Sequence, residues 1–338
     1  MTEKNRRWIL AERPRGEPDD NTLRLEEASV PRPAEGQMLV RVEYLSLDPY
    51  MRGRMSAAKS YAKPVELGAV MEGGAVGRIV SSNLKAFAPG DLVLGNFGWQ
   101  DYALSDGSGV QKLDGIAQPS WALGILGMPG FTAWAGLTQI GRPKAGETLV
   151  VAAATGPVGA TVGQIGRILG CRVVGVAGGS EKCRWAVEGL GFDACLDHKA
   201  EGLAHQLAAA CPEGIDIYFE NVGGKVLDAV VPLLNPAARI PLCGLVSQYN
   251  ATALPEGPDR MGWLMGQFLT RRVTLRGFII FSDFGHLYPE FAQAMQGWIA
   301  EGRITYREEV IDGLENAPRA LVGLLRGENF GKRVIRVG

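Results

Sequence analysis

Cysteine and histidine are scarce in this chain, and both come late. The five cysteines, Cys171, Cys183, Cys195, Cys211 and Cys243, are odd in number and form no C-x-x-C pair, which removes both a disulfide framework and a zinc knuckle. Such usage fits a reducing, cytoplasmic compartment. The three histidines are His198, His205 and His286, so nothing before Cys171 supplies the Cys or His ligands of a zinc site. Net charge is lacking too: 35 Lys plus Arg against 36 Asp plus Glu leave −1, without the basic surplus that holds nucleic acid. No secretory leader is signalled, because Glu3, Lys4, Arg6 and Arg7 are followed by no apolar run of the required kind. Two uncharged stretches, 115–141 and 148–166, are long enough to span a membrane. Pro119, Pro129, Gln118, Gln139 and scattered Gly interrupt them, and both are expected to be buried in a protein that does not enter the membrane.

What is abundant is glycine, 46 residues in 338, roughly twice the usual share. The length predicts about two domains. From residue 148 onward, strand-like runs at 148–153, 172–177, 194–197, 215–222, 238–246 and 274–280 alternate with helical runs such as 201–211, 225–234 and 259–272. Their mostly continuous apolar character predicts strands buried on both faces of a doubly wound parallel sheet. The first 110 residues differ: short strands at 38–44, 75–81 and 92–94 lie between Pro and Gly turns, as in a small barrel or sandwich. A last strand at 332–337 follows a helical face marked by Phe284, Leu287, Phe291, Met295, Trp298 and Ile299.

The sharpest local pattern is the strand Leu149-Val150-Val151-Ala152 followed by Ala154-Thr155-Gly156-Pro157-Val158-Gly159 and an amphipathic helix. This is A-x-G-x-x-G. Gly156 lets the backbone approach a pyrophosphate, Gly159 lets helix pack on strand, and the helix N-terminus faces the anion. Small residues also serve helix–sheet packing alone, and only the flanking strands and helix favour a dinucleotide. At the end of the second strand stands Gly178-Gly179-Ser180-Glu181-Lys182. No acid occupies the tip to take an NAD ribose diol, while Ser180 and Lys182 suit a 2′-phosphate, so NADP(H) is expected. A solvated Lys182 at a helix start is the competing reading.

A dinucleotide sheet after a β-rich N-terminal domain is similar to the zinc alcohol dehydrogenases, yet the ligands for zinc are missing. Carbonyl polarisation then falls to hydroxyls. Tyr249 follows the fifth strand and lies near the expected cleft; Tyr44, Tyr50, Tyr61 and Tyr102 lie in the N-terminal region, with core packing the alternative for each.

The segments Leu45-Ser46-Leu47-Asp48-Pro49-Tyr50-Met51-Arg52-Gly53-Arg54-Met55, Gly127-Met128-Pro129-Gly130-Phe131-Thr132-Ala133, Glu220-Asn221-Val222-Gly223-Gly224 and Gly327-Glu328-Asn329-Phe330-Gly331-Lys332, with the turn above, carry a resemblance. The chain resembles the zinc-free medium-chain reductases, in the leukotriene B4 12-hydroxydehydrogenase/prostaglandin reductase branch. That resemblance implies an α/β protein with a GroES-like β-rich domain over 1–126, completed by 302–338, and a Rossmann domain over 127–301. It implies reduction of the C=C bond of α,β-unsaturated ketones and aldehydes by NADPH, without a metal. Matched by position, Gly156, Pro157, Val158 and Gly159 meet the pyrophosphate. Gly178, Ser180 and Lys182 stand at the 2′-phosphate, and Asn221, Cys243, Phe278 and Asn329 at the nicotinamide end. Tyr50, Tyr61 and Tyr249 border the enone. The chain departs from many relatives at His198, where they have Tyr, beside the expected 2′-phosphate. A homodimer paired through the sixth strand is also implied. A quinone reductase on the same scaffold, and an NADPH-binding sensor without turnover, stay open as alternatives.

Overall fold

The computed structural model describes residues 4–338. The chain forms two compact units, one of Met1–Gly124 with Glu308–Gly338 and the other of Ile125–Arg307. Both junctions differ by a few residues from the expected ones, for local reasons. The Leu126 carbonyl accepts the Tyr288 hydroxyl at 2.8 Å, and the Gln164 amide pairs with both Thr305 N and O, at 2.7 and 3.0 Å. Those bonds hold both flanking segments to the second unit.

In the first unit, β1 (Lys4–Leu10) and β2 (Leu23–Ser29) make an antiparallel ribbon. The strands β3 (Met38–Ser46), β4 (Ala75–Ser82), β5 (Leu92–Gly95), β6 (Tyr102–Ser105) and β7 (Gln111–Lys112) build an antiparallel sheet. Its inner face buries Met38, Val40, Val42, Leu45, Ile79, Val93 and Trp99. A short helix α1 (Met51–Arg54) leaves the end of β3 through Asp48-Pro49-Tyr50.

The second unit begins with α2 (Met128–Ala135) and is a βα repeat: β8 (Thr148–Ala152), α3 (Pro157–Ile168), β9 (Arg172–Ala177), α4 (Ser180–Glu188), β10 (Ala194–Asp197), α5 (Leu203–Ala210), β11 (Ile215–Phe219), α6 (Gly224–Val230), β12 (Leu234–Leu242), α7 (Met261–Arg271) and β13 (Thr274–Gly277). The strands pair in parallel in the order β10-β9-β8-β11-β12-β13. That is the Rossmann order, which reverses direction at β8 and so opens a crevice beyond its carboxyl end. All of β8 is buried, as a strand covered by helices on both faces must be.

Three expectations are corrected by the structure. The fourth strand ends at Phe219, before the expected 222. The fifth begins at Leu234 and ends at Leu242, so 243–246 is not strand and Val246–Gln248 is a 3₁₀ turn. Pro236 and a left-handed Ala237 (φ 64°) disguise its start, since proline is normally kept out of central strands. The sixth strand stops at Gly277, with α8 (Ile280–Phe284) following. It is exposed along its whole length because it is the sheet's edge. The helical face expected after it is divided by a 3₁₀ turn between α8 and α9 (Tyr288–Ala300), with Phe284, Phe291 and Met295 buried.

The chain then returns to the first unit. There β14 (Glu308–Asp312) and, after α10 (Ala317–Leu325), β15 (Lys332–Arg336) complete the sheet, β15 running antiparallel to β3.

Candidate functional site

At the carboxyl end of β8 the chain turns sharply. Ala153 takes a positive φ of 53°, the Ala154 N–H bonds the Val176 carbonyl at 3.0 Å, and the Gly156 N–H closes back on the Ala153 carbonyl at 3.0 Å. Helix α3 then starts at Pro157 with no side chain capping it, so the first-turn amides of Val158 and Gly159 have no acceptor within the helix. The two motif glycines differ. A Cβ at 159 would lie 2.2 Å from the Ala153 carbonyl oxygen, and glycine is required there for helix and strand to touch. At 156 an added Cβ would meet only that oxygen, at 3.4 Å. Nothing inside the protein demands glycine at 156, and the bare backbone faces outward beside unpaired amides. That combination is an anion cradle.

The next strand end carries the charge. Gly179 (φ 103°) precedes α4, which begins at Ser180 with Glu181 in its exposed first turn and Lys182 beside it. Asp197, at the end of β10, accepts the Gly179 and Lys199 N–H groups on Oδ1 at 2.8 and 2.9 Å. These backbone bonds hold its carboxyl below the usual range. The His198 N–H bonds the Ala177 carbonyl at 3.0 Å, which brings the imidazole over the end of β9. Its Nε2 lies 2.9 Å from where a Cβ on Gly178 would be. Partial burial lowers the His198 pKa, the Lys199 and Lys182 cations lower it further, and Asp197 opposes them. Lys182, His198 and Lys199 therefore gather around Gly178. Sequence reasoning overlooked Asp197; its bond to the amide two residues on is an Asx turn, the signal that was available.

A third group forms at the ends of β11 and β12. Glu220 turns its Oε1 back onto the Val222 and Gly223 N–H groups at 2.7 and 2.8 Å, and burial raises its pKa while those bonds lower it. The Asn221 amide donates to the Ala152 carbonyl at 2.8 Å, tying β11 to the end of β8. The Tyr249 hydroxyl lies over Gly244, 3.1 Å from where its Cβ would be, and the Asn221 carbonyl oxygen is 3.5 Å from the same point. Burial and the Glu220 charge push the Cys243 thiol up to about 12, so it is no nucleophile at neutral pH. The Phe278 ring is turned into packing: it is buried, lies tilted against Phe284 with ring centroids 5.9 Å apart, and fills the space over Gly136.

The first unit holds the remaining residues. Tyr50 and Tyr61 both lie against the Arg54 guanidinium, whose carbon is 5.3 Å and 4.8 Å from their ring centroids. Burial, then the Asp48 charge, raises the Tyr50 pKa above its ordinary value, which keeps the phenol protonated as a donor. Beneath it, Lys332 is fully buried and donates to Ser46 Oγ, the Leu47 carbonyl and Asp48 Oδ1 at 2.7, 2.8 and 2.7 Å. The Asn329 amide bonds the Gly331 carbonyl at 2.9 Å, in the turn entering β15. Among the described residues no group of three or more His, Cys, Asp or Glu is placed to hold a metal.

A family model described as the N-terminal domain of oxidoreductase matches residues 6–113, and one described as zinc-binding dehydrogenase matches 157–298. The NADPH-dependent curcumin reductase of Escherichia coli is 64% identical, the match covering 99% of this chain and 97% of that protein. The chain belongs to the zinc-free medium-chain reductases. Within them its branch is that of the prostaglandin reductases: bovine prostaglandin reductase 1 is 37% identical, covering 97% of this chain and 98% of that one. The crystal structure of CurA from Vibrio vulnificus in complex with NADPH superposes with a TM-score of 0.96 at 60% identity, over 98% of this chain and 99% of that one. The β-rich unit is accordingly GroES-like and the other a Rossmann domain. The name of the second family model notwithstanding, the first unit contains neither Cys nor His.

Proposed function

We propose that the protein is an NADPH-dependent ene-reductase, which reduces the carbon–carbon double bond of α,β-unsaturated ketones and aldehydes. The observation that carries this is full-length similarity to an NADPH-dependent curcumin reductase and to a 2-alkenal reductase described as NADP(+)-dependent. The strand ends fit that cofactor. An uncapped helix with a bare Gly156 suits a pyrophosphate, and Lys182, with Ser180 and His198 beside it, suits a 2′-phosphate rather than a free ribose diol. Asn221, Cys243 and Phe278 of the Rossmann domain, and Asn329 of the GroES-like one, are assigned to the nicotinamide end.

When bound, NADPH supplies a hydride for the β-carbon of the enone. The protein's part is to stabilise the negative charge that develops on the carbonyl oxygen, which usually contributes more to the rate than any other single effect. Tyr50 and Tyr249 are the assigned donors, and Tyr61 borders the substrate. With its pKa raised by burial, Tyr50 stays a hydrogen-bond donor throughout the neutral range. The α-carbon is then protonated by a tyrosine or by water. With no thiol or imidazole in the GroES-like unit, this chemistry needs no zinc.

Among the described residues no helix is long and apolar enough to cross a membrane. The exposed edge strand β13, together with Met261, Met265 and Leu269 exposed on α7, supports a homodimer, and the cysteine usage a cytoplasmic one. The deciding assay follows NADPH consumption with a conjugated enone, its saturated ketone and its allylic alcohol, before and after dialysis against a strong chelator. Turnover of the enone alone, to the saturated ketone and unaffected by chelation, is expected. Tight NADPH binding without turnover across an enone panel would overturn the assignment, and activity restored only by zinc would overturn its metal-free chemistry.

A further inference from the structure

The five thiols all lie in the Rossmann domain, and two of them meet. Cys183 closes the first turn of α4, and Cys195 lies in β10, the strand against which α4 packs. Their side chains are hydrogen-bonded to one another, with Cys195 as the donor. A glycine makes room for the contact: Cys195 pairs with Gly175 across the sheet, and its Sγ is 3.1 Å from where a Cβ on Gly175 would be. Cys183 is 8% exposed and Cys195 only half-buried, so the pair is within reach of a small oxidant.

The contacts make the two sulfurs unequal. Cys183 accepts from the Cys195 thiol and from the Ala177 N–H, and these bonds hold it below the ordinary thiol range although burial opposes them. Cys195, which gives its proton to that bond and is itself desolvated, is held above the range. Burial pushes the other three up, Cys171 and Cys211 to about 11 and Cys243 to about 12. One thiol of the five therefore has thiolate character, and it has a second sulfur in contact with it. That is a nucleophile beside its resolving partner.

The pair also lies next to the groups around Gly178. Lys182 immediately precedes Cys183, and Ser180 opens the same helix. Two residues after Cys195, Asp197 accepts the Gly179 N–H on Oδ1 at 2.8 Å, and His198 follows it. Joining the sulfurs covalently draws them closer than a hydrogen bond holds them. Helix α4 must then shift on β10 and carry Lys182 with it.

We propose that Cys183 and Cys195 are an oxidation site, which hydrogen peroxide closes to a reversible disulfide, and that closure weakens the hold of the Gly178 cluster on a 2′-phosphate. The Cys183 thiolate attacks one peroxide oxygen and the O–O bond breaks; Cys183 becomes a sulfenic acid, and the other oxygen leaves as hydroxide and is protonated to water. The Cys195 sulfur then attacks the sulfenic sulfur. The S–S bond forms, the S–O bond breaks, and the second water leaves with the Cys195 proton. Two thiols have lost two electrons, and one peroxide has been reduced to two waters. The oxidation does not depend on the assigned activity, whereas its effect rests on the NADPH reading of that cluster.

The test incubates the full-length protein with hydrogen peroxide at neutral pH, maps its peptides by mass spectrometry without reduction, and titrates NADPH and NADH binding in parallel. Expected are a Cys183–Cys195 link that dithiothreitol removes, an NADPH affinity about tenfold lower in the linked protein, the scale of one lost charge-assisted hydrogen bond, and an unchanged NADH affinity. Cys183→Ala should bind NADPH like the reduced wild type and ignore peroxide, and Cys195→Ala should form no link and accumulate sulfinic acid at Cys183. If mapping finds all five thiols intact, or Cys183 and Cys195 oxidised separately, the oxidation site is refuted. A link that leaves NADPH affinity unchanged refutes the effect on the cofactor. Reduced protein that binds NADPH no better than NADH overturns the 2′-phosphate reading and the effect with it, while mapping alone then decides the link. Should the alanine variants not fold, failure of dithiothreitol to reverse both the link and the lost affinity in the wild type refutes the proposal equally.

Discussion

Two acids at strand ends separated by two strands of the sheet, Asp197 at the end of β10 and Glu220 after β11, act by organising backbone. Each directs a carboxylate oxygen to two N–H groups, and so shapes a loop against which a cofactor can lie. The cationic side chains gathered near Gly178 are expected to set the cofactor preference. Lys182→Ala removes a charged hydrogen bond of about 1.5–3 kcal/mol and should raise KM for NADPH about 10- to 150-fold while hardly changing NADH kinetics; equal use of both cofactors, indifferent to the change, would contradict this. His198 should make NADPH affinity depend on pH. Its pKa is depressed in the free protein, and a neighbouring phosphate raises it by favouring the charged form. The added affinity is therefore complete below the free-protein pKa and is lost as pH rises through the pKa in the complex. Titration of NADPH binding across that range should show this dependence in the wild type and not in His198→Gln. For Tyr50 and Tyr249, replacement by Phe removes a donor worth about 2.7–4 kcal/mol if it acts as a full oxyanion donor. Stopped-flow reduction of a good enone at wild-type rates by both Phe variants would show that neither is the donor.

At the scale of elements, α3 and β8 require one glycine and leave another unconstrained. With a carbonyl oxygen 2.2 Å from its would-be Cβ, Gly159→Ala must push helix from strand, a backbone overlap expected to destabilise by about 1–3 kcal/mol and to lower Tm. Gly156→Ala finds room, so its Tm should stay near wild type while NADPH binding weakens, because the Cβ would project into the proposed pyrophosphate cradle. Calorimetry and NADPH titration separate the two. Equal loss of Tm in both variants would mean that Gly156 is held by packing. The buried Lys332–Asp48 pair does the same kind of work in the other unit. It joins the start of β15 to the end of β3, and so fixes the turn from which Tyr50 departs.

For the whole molecule, the exposed β13 edge and the apolar side of α7 argue for association, because an open strand edge pairs with another strand unless it is covered. Leu269, on α7, is 79% exposed. Sedimentation equilibrium should give twice 36.2 kDa, and Leu269→Glu combined with Leu275→Lys should shift the protein toward monomer. A monomeric wild type at micromolar concentration would exclude the dimer.

Much of this was legible in one dimension. Buried parallel strands are continuous apolar runs, and β9 and β10 end where those runs end. A small-residue turn between strand and helix identifies itself by steric rules acting over a few residues, and the missing thiols and imidazoles are a matter of inspection. The start of β12 was obscured by Pro236, and the edge position of β13 by its apolar residues, since burial depends on what lies alongside and not on the strand's own composition. Tyr50 and Arg54 are neighbours at helical i,i+4 spacing, but the closure of Tyr61 onto Arg54, and Lys332 on Asp48, 284 positions away, have no local signature. Both pairings exist because the sheet order sets β15 against β3 and the Arg13 bonds to the Met55 and Val65 carbonyls fold the 56–64 loop back on α1. A charge far along the chain meets its partner only after those backbone contacts have formed.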